Sequence, residues 1–215
     1  MVFEVPDCRK VFHSHDHCFI WEEHISYFTP ETLRFFFANA GFREVETRIY
    51  PYPLENSLIA IVRNVCLEPQ EVGIDVGGEI SHLEDFAGTF FSRGLQIRQH
   101  LKSLKAKGKT IALFGAGHLA AKFINFYDLV PYLSCVIDDN PNKLGRFMPG
   151  SRVQIISSSC LDSGGVDLCL LALNSESEQK VLKKNAVYLS QGGKFRSIFS
   201  ASENSIDQDF HNDRS

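Results

Sequence analysis

The chain has 215 residues, of which 44% are hydrophobic and 22% are charged, so it has enough material for one large or two small cores. Its net charge of −4 at pH 7, without any basic run, argues against nucleic acid as a partner. The longest apolar stretches, such as residues 166–173, are strand-length, and this argues against a membrane-spanning helix.

The six cysteines are scattered without a C-x-x-C pair, and two of them, Cys135 and Cys169, stand inside apolar runs. This usage is typical of reduced, buried thiols. The first residues also lack the charged and apolar regions of a signal peptide. Together these features predict a cytoplasmic protein.

The first part of the chain is predicted to fold as strand, helix, strand, strand. Residues 2–5, 42–50 and 57–63 have the composition of strands. Thr29 followed by Pro30 is typical of a helix start, and Gly41 is typical of its end. We expect this helix to turn four apolar side chains inward: Leu33, Phe36, Phe37 and Ala40.

Histidines are concentrated between the first strand and this helix. His13, His15 and His17 alternate, so an extended loop would place them on one side, where they could bind zinc with Cys18. The spacing matches no closed structural zinc motif. We therefore favour a solvated, polar active-site loop over residues 8–18 and predict no metal site.

A loop-like composition over residues 67–79 predicts a linker between a domain of residues 1–66 and a domain of residues 80–200. The second domain is predicted to open with a long amphipathic helix over residues 80–107, which could kink at Gly94. Its expected apolar positions are Leu83, Phe86, Phe90, Leu95, Ile97, Leu101 and Leu104.

Residues 110–137 are predicted to form a strand, glycine turn, helix and strand. Glycine at 115 and 117 permits a tight turn and lets a ligand reach the amide groups at the helix N-terminus, where phosphate is favoured. Asp138 stands where nucleotide-binding folds place a carboxylate for ribose hydroxyls. The alternative is that small residues at 115, 117 and 120 merely let the helix pack closely on the strand.

The loop that follows this unit is rich in polar residues at the carboxyl end of a strand, where open α/β sheets bind their ligands. Asp138, Asp139, Asn140, Lys143 and Arg146 could contact a nucleotide-sugar diphosphate or a ribose. The alternative is a simple turn, because aspartate, asparagine and proline all favour turns.

The rest of the chain is predicted to complete an α/β domain. Residues 153–156, 166–173 and 195–199 have the composition of strands, and residues 176–189 that of a helix. We interpret Lys180, Lys183 and Lys184 as a solvated helix face. The polar tail, residues 201–215, is predicted to be disordered.

Two stretches resemble a known family. Trp21-Glu22-Glu23-His24-Ile25-Ser26-Tyr27-Phe28, with Glu4-Val5-Pro6-Asp7 before it, resembles the last third of a class I S-adenosylmethionine-dependent methyltransferase domain of the sugar C-methyltransferases. Gly115-Ala116-Gly117, with residues 138–146, is similar to the C-terminal Rossmann-like domain of that group. The resemblance implies an α/β fold, in which a partial class I methyltransferase sheet is followed by a Rossmann-like parallel-sheet domain.

The resemblance also implies a reaction, the methylation of a carbon next to a ketone in a nucleotide-linked deoxy-sugar, through an enolate. His24 matches the family's histidine and is the implied base, and Glu23 matches the family's glutamate. The alternative for His24 is a hydrogen-bonded histidine at the head of a helix. The implied substrate-binding residues are Trp21, Tyr27, Asn56, Gly115, Gly117, His118, Asp138, Asp139, Asn140, Lys143 and Arg146.

Two features depart from the family: Trp21 replaces a tyrosine, and Glu55-Asn56-Ser57-Leu58 replaces a glycine-rich turn.

The resemblance begins at about the fifth strand of the methyltransferase domain, and no glycine-rich loop precedes Val2. We therefore expect this chain alone not to bind S-adenosylmethionine well. We also expect the uncovered apolar side of residues 2–5 and the face of Leu33, Phe36 and Phe37 to promote self-association or to bind a partner chain. Two other functions stay open: a non-catalytic module that binds nucleotide sugars or docks on a fuller methyltransferase, and an NAD-dependent oxidoreductase.

Overall fold

The structure, a computed structural model, describes residues 1–21, 23–52, 55–65 and 76–210. The chain divides into two units, Met1–Phe90 and Phe91–Ser215. The boundary falls inside a long helix and not in the predicted linker, of which residues 67–75 lie outside the described residues.

The first unit contains a three-stranded antiparallel sheet. Its last strand lies in the middle, so the spatial order is β1-β3-β2. The predicted succession of strand, helix, strand and strand is confirmed. The elements in chain order are β1 (Val2–Asp7), α1 (Arg9–Ser14), α2 (Pro30–Asn39), β2 (Phe42–Tyr50) and β3 (Asn56–Asn64).

Helix α2 begins and ends at the predicted residues. The Thr29 hydroxyl accepts a hydrogen bond from the backbone N–H of Thr32, and the Thr32 hydroxyl accepts one from the backbone N–H of Thr29, so the two residues form a reciprocal cap. Gly41 follows with a φ of 76°, the left-handed conformation that glycine adopts without steric cost. Leu33 and Phe37 are buried against the middle strand, on Leu58, Ala60 and Val62.

The predicted inward face of α2 is wrong at two positions, since Phe36 and Ala40 are exposed. Successive helical residues lie about 100° apart, so a helix that turns Phe37 to the sheet carries Phe36 to its side. Leu33 and Phe37, in contrast, are already covered. The uncovered apolar surface that we expected is therefore smaller, and its most exposed members are Val2 and Phe36.

Helix α3 (Val76–Ala106) is the longest element and runs without interruption through Gly94. It begins before the predicted residue 80. A side chain at Gly94 would place its Cβ 2.8 Å from Tyr127 Cδ1, so close packing, and not a break in the helix, accounts for this glycine. Phe86, Ile97 and Leu101 are buried as predicted, whereas Leu83 and Leu95 are exposed. Among the described residues, no helix has the length and apolarity needed to span a membrane.

The second unit contains a five-stranded parallel sheet with the spatial order β6-β5-β4-β7-β8. The strands are β4 (Ile111–Phe114), β5 (Cys135–Ile137), β6 (Ile155–Ile156), β7 (Leu168–Leu171) and β8 (Lys194–Ser197). The helices are α4 (His118–Phe126), α5 (Ser159–Asp162), α6 (Ser175–Lys184) and α7 (Ala186–Ser190). Chain order reverses between β4 and β7, which places a crevice at the carboxyl ends of these two strands. The predicted α/β fold with a parallel sheet is confirmed.

The prediction of a disordered tail is wrong for residues 201–210. Ile206–Asp209 forms a 3-10 turn, and Ile206 is completely buried. Asp207 accepts a hydrogen bond from the buried guanidinium of Arg93 at 2.8 Å, and Asp209 accepts two from Arg196. The segment is polar because its carboxylates pair with the buried Arg93 and the partly buried Arg196, so its composition resembles that of a solvated tail. Residues 211–215 lie outside the described residues.

Candidate functional site

The first candidate site surrounds His24, in the segment that leads into α2. Tyr27 shapes this segment, because its hydroxyl donates to the carbonyl oxygen of Trp21 at 2.7 Å and accepts from the backbone N–H of Trp21 at 2.6 Å. A phenol has a single proton to donate. Tyr27 is therefore engaged with the backbone of Trp21, and its hydroxyl proton is not available for a substrate in this conformation.

His24 is half-buried and flanked by two aromatic rings, at centroid distances of 5.8 Å from Trp21 and 5.9 Å from Tyr27. Its backbone N–H donates to the carbonyl oxygen of Trp21 at 3.2 Å, which closes a turn. Glu23, beside it, is exposed and makes no hydrogen bond or ion pair within the described part of the chain. The imidazole is thus held in a partly apolar setting, whereas the adjacent carboxylate is in solvent.

Glu55 supplies a carboxylate near His24. It directly precedes β3, where Asn56 stands opposite Asp7 of β1. Burial raises the pKa of the Glu55 carboxyl, and its interaction with His24 acts in the opposite direction. An imidazole beside a carboxylate can take a proton from an acidic C–H, and the carboxylate then stabilises the imidazolium. Glu55 was not predicted as a site residue. The sequence singled it out only as part of the segment, residues 55–58, that replaces the glycine-rich turn of the family.

Cys8 lies close to this pair and is not a nucleophile. Burial raises the pKa of its thiol to about 12, and the negative charges of Glu55 and Asp7 act in the same direction. The backbone of Phe28 opposes this effect only in part. Because the thiolate is the reactive form, Cys8 is inert at neutral pH.

The polar loop predicted over residues 8–18 is wrong, because this segment forms α1 and a 3-10 turn whose apolar side chains are buried. The three histidines diverge. His13 contacts the carbonyl oxygen of Arg9 at 2.8 Å, His15 contacts Asp85 at 2.8 Å, and His17 contacts the carbonyl oxygen of Phe86 at 2.7 Å. They are not on one extended segment, because α1 ends at Ser14, His15 takes a left-handed conformation with a φ of 53°, and His17 begins the 3-10 turn.

The second candidate site is the carboxyl edge of the parallel sheet, at the turn after β4. Gly115 has a φ of 104°, and a Cβ there would lie 2.8 Å from Leu173 Cδ2 and 3.0 Å from the carbonyl oxygen of Ala172. Gly117 differs, because its backbone is extended and a Cβ would meet no atom within 4 Å in the described part of the chain, its two neighbours apart. Packing within the chain therefore requires glycine at 115 but not at 117.

Asp138 turns back onto the glycine turn. Its carboxylate accepts hydrogen bonds from the backbone N–H groups of Ala116 and Asn140 and from Lys143 Nζ, each at 2.9 Å. Partial burial raises the pKa of Asp138, but the hydrogen bonds from Asn140, Lys143 and Ala116 outweigh it, so the net pKa is lowered. Asp138 thus fixes the loop to the turn, a role that sequence analysis did not assign to it.

Asp139 connects three elements of the same edge. It accepts hydrogen bonds from the backbone N–H of Ser158 at 2.9 Å, the Ser158 hydroxyl at 2.8 Å and Lys184 Nζ at 2.6 Å. Burial raises the pKa of Asp139, but the contacts with Lys184 and Ser158 outweigh this effect. The net pKa of Asp139 is therefore lowered. The interpretation of Lys184 as part of a solvated helix face was therefore incomplete, because it did not include the ion pair with Asp139. The two residues are far apart in the sequence.

The remaining predicted residues of this edge are exposed. The Asn140 side chain accepts from the backbone N–H of Asn142 at 2.9 Å, so the turn interpretation holds for it. His118 is exposed at the first position of α4. Arg146 is exposed, and its guanidinium makes no hydrogen bond or ion pair with any residue that the structure describes. Since Lys143 and Lys184 are paired with aspartates, Arg146 is the cation of this loop that is open to a phosphate.

Replacing Asp138 by asparagine is expected to lower the free energy of unfolding by about 1–3 kcal/mol at pH 7, because three donors lose a charged acceptor. The folded-state pKa of Asp138 is lowered, so the carboxylate stabilises the fold above the unfolded-state pKa of about 3.9. That contribution is lost as the pH falls through the lowered pKa. Urea unfolding at a series of pH values should show the difference between wild type and Asp138→Asn shrinking at the acid end.

Asp128→Asn is the matched control for this experiment. Asp128 is exposed and has a φ of 52°, a conformation that asparagine also adopts readily. We expect this variant to unfold like the wild type at every pH. Equal losses in both variants would show that the hydrogen bonds of Asp138 do not stabilise the loop.

The sequence model of a family described as the C-methyltransferase C-terminal domain matches residues 60–199, which include all of the parallel sheet and its carboxyl edge. No curated protein matches the chain.

Proposed function

Because this chain belongs to the family of C-methyltransferase C-terminal domains, we propose that it takes part in methyl transfer to a carbon atom of a nucleotide-linked deoxy-sugar. The family supports a methyltransferase-like function. The nature of the substrate and the step that the chain performs are our inference. The observation that carries it is the placement of His24 between two aromatic rings and near Glu55.

The proposed role of His24 is to remove the proton from the carbon next to the sugar ketone. Its half-buried setting limits water around the imidazole, and Glu55 stabilises the imidazolium that results. Tyr27 positions the residues around His24 by holding the backbone of Trp21. Glu23 is exposed in the structure, so in this proposal the supporting carboxylate is Glu55.

The proposed role of the second unit, inferred from that unit alone, is to bind a nucleotide sugar. The order of its strands along the chain reverses between β4 and β7, where open α/β sheets bind ligands. The open space at Gly117 leaves room for a ligand near the N-terminus of α4, and Arg146, whose guanidinium has no partner among the described residues, is available to a diphosphate. The packing alternative for the small residues explains Gly115 but does not explain Gly117.

The methyl donor of such a reaction, S-adenosylmethionine, supplies an electrophilic methyl group. The described residues do not fit it. Neither β1 nor β2 runs into a glycine-rich turn, since Cys8 and Pro51 follow them. In the second unit, the backbone N–H of Ala116 already donates a hydrogen bond to Asp138, so it is not available to a cofactor. We therefore propose that the donor is bound by residues other than those described, in a fuller methyltransferase or a partner chain.

Isothermal titration of the chain with a thymidine-diphospho-sugar tests the substrate class. We expect binding by the wild type, weaker binding by Arg146→Ala and Gly117→Ala, and wild-type binding by Arg43→Ala, which removes an exposed arginine of the first unit. Gly117→Ala should fold normally because, apart from the neighbouring residues of the chain, no described atom lies within 4 Å of the added methyl group.

Two further titrations test the rival functions. Binding of NAD in place of the nucleotide sugar would favour an oxidoreductase. Tight binding of S-adenosylhomocysteine would contradict our placement of the methyl donor. If the nucleotide sugar binds but the chain never promotes proton removal, it is a non-catalytic module that recognises nucleotide sugars.

A further inference from the structure

A cavity of about 290 Å³ opens at the amino-terminal edge of the parallel sheet, which is the edge opposite to the one that the proposed function uses. Lys109 lies just before β4, Leu168 begins β7 and Lys194 begins β8. The cavity wall therefore contains the starts of three neighbouring strands. All of the lining residues lie between positions 100 and 209, within the second unit.

The two carboxylates in the cavity wall already have counter-ions. Asp167 forms an ion pair with Lys109 Nζ at 2.8 Å and accepts a hydrogen bond from the backbone N–H of Thr110 at 2.8 Å. Asp209 accepts two hydrogen bonds from the Arg196 guanidinium, at 2.8 and 2.9 Å. Each of these negative charges is thus balanced within the chain, and neither is left to balance a further cation of the wall.

Lys194 is that further cation. Its backbone is fixed, because its N–H donates to the carbonyl oxygen of Asp167 at 3.0 Å and to the Tyr188 hydroxyl at 3.1 Å, and its carbonyl oxygen accepts from the same hydroxyl at 3.0 Å. Its exposed ammonium makes no hydrogen bond or ion pair with any residue that the structure describes. The wall therefore carries one positive charge without a counter-ion, on a residue whose backbone is held in place.

The cavity wall also has an apolar part. It consists of Leu104 of α3, which is half-buried, and Leu168, which is buried. His100 adds a buried aromatic ring, whose Nε2 lies 4.0 Å from Asp209 Oδ2. Sites for small molecules combine an apolar lining with a few placed polar groups, and a volume of about 290 Å³ is at the lower end of their range. The cavity therefore suits a small ligand with an apolar body.

We propose that this cavity binds a small organic monocarboxylate. The ligand carboxylate accepts a charge-assisted hydrogen bond from Lys194 Nζ, and the apolar body of the ligand lies against Leu104 and Leu168. One negative charge matches the one unbalanced positive charge, whereas a phosphate dianion would bring a second negative charge close to Asp167 and Asp209. The inference does not depend on the proposed function, because no residue that lines the cavity belongs to either candidate site described above.

Titration of the full chain with benzoate, followed by heteronuclear NMR, tests the proposal. Benzoate combines one carboxylate with an apolar ring, and benzamide is its uncharged counterpart. We expect benzoate to shift the backbone signals of Leu104, Leu168 and Lys194, and benzamide to bind about tenfold more weakly. Inorganic phosphate should not shift these signals. The proposal is wrong if millimolar benzoate leaves the three signals unchanged, if benzamide binds as tightly as benzoate, or if phosphate binds here in preference to benzoate.

Three variants then examine the cavity wall. Lys194→Ala should weaken benzoate binding about tenfold, whereas Lys183→Ala, which removes an exposed lysine of α6 outside the wall, should bind as the wild type does. Leu104→Trp should prevent binding by filling the cavity. If this variant does not fold, Lys194→Ala still decides, because an exposed side chain is not needed for packing. Benzoate should also raise the midpoint of thermal unfolding less in Lys194→Ala than in the wild type. Unchanged binding by Lys194→Ala would overturn the proposal.

Discussion

Replacing Gly193 by alanine is expected to destabilise the second unit by about 3 kcal/mol, at the upper end of the usual range for overpacking. A Cβ at this position would lie 2.1 Å from Cε2 and 2.4 Å from Cδ2 of Tyr188. The ring has little room to move, because it is 1% exposed, packs on Phe195 at 4.9 Å, and bonds through its hydroxyl to both backbone groups of Lys194. Thermal unfolding should show a midpoint lower by about 6–12 °C.

Gly165→Ala is the matched control, since the nearest atoms to a Cβ there are 3.6 and 3.8 Å away, which is ordinary contact. We expect it to unfold within about 1 kcal/mol of the wild type. In a protein that carries Tyr188→Leu and so lacks the ring, Gly193→Ala should lower the free energy of unfolding by less than it does in the wild type. A double-mutant cycle measures this difference. A Gly193→Ala protein as stable as Gly165→Ala would contradict the close approach of the ring.

The fold of the second unit was largely predictable, because its signals are local. The apolar residues 110–114, the glycine turn and the helix after it indicate a parallel strand without any knowledge of contacts. Gly193 shows the limit of this approach. Its place in a turn could be predicted, but the reason for glycine there is the Tyr188 ring, which only the packed structure reveals.

The errors in the fold prediction came from side chains whose partners are distant in the sequence. The segment around Ile206 was assigned to a disordered tail because it is polar, yet Arg93 and Arg196 neutralise its carboxylates. The histidine-rich segment was assigned to a loop because polar residues prevail, yet its few apolar side chains pack inside the first unit. In both cases a small number of tertiary contacts outweighed the local composition.

The candidate site was predictable to a similar degree. His24, Trp21 and Tyr27 were all predicted from the resemblance, which covers them in one continuous segment. Glu55 was not, since no spacing rule connects it with His24. The pairing of Lys184 with Asp139 was not predicted, for the same reason. Sequence patterns identify residues on one element, whereas charge pairs between elements depend on the tertiary fold.

Replacing His24 by glutamine is expected to slow proton removal from the substrate by about 10²–10⁴-fold, the usual contribution of a positioned general base. Glutamine keeps a polar side chain of similar length but cannot accept a proton at neutral pH. The measurement is the exchange of the proton next to the ketone of a thymidine-diphospho-keto-sugar in D2O, followed by NMR. No methyl donor is needed, so the assay examines the step that we assign to this chain.

The variants that surround His24 make the assignment specific. Glu55→Gln should slow the exchange by a smaller factor than His24→Gln, because it removes only the charge that stabilises the imidazolium. His82→Gln removes an exposed histidine of the same unit and should exchange at the wild-type rate. If Glu23→Gln is more harmful than Glu55→Gln, the exposed carboxylate is the one that supports His24, and the site must rearrange when it binds the substrate. If His24→Gln exchanges as fast as the wild type, His24 is not the base, and the chain's part in methyl transfer is limited to binding.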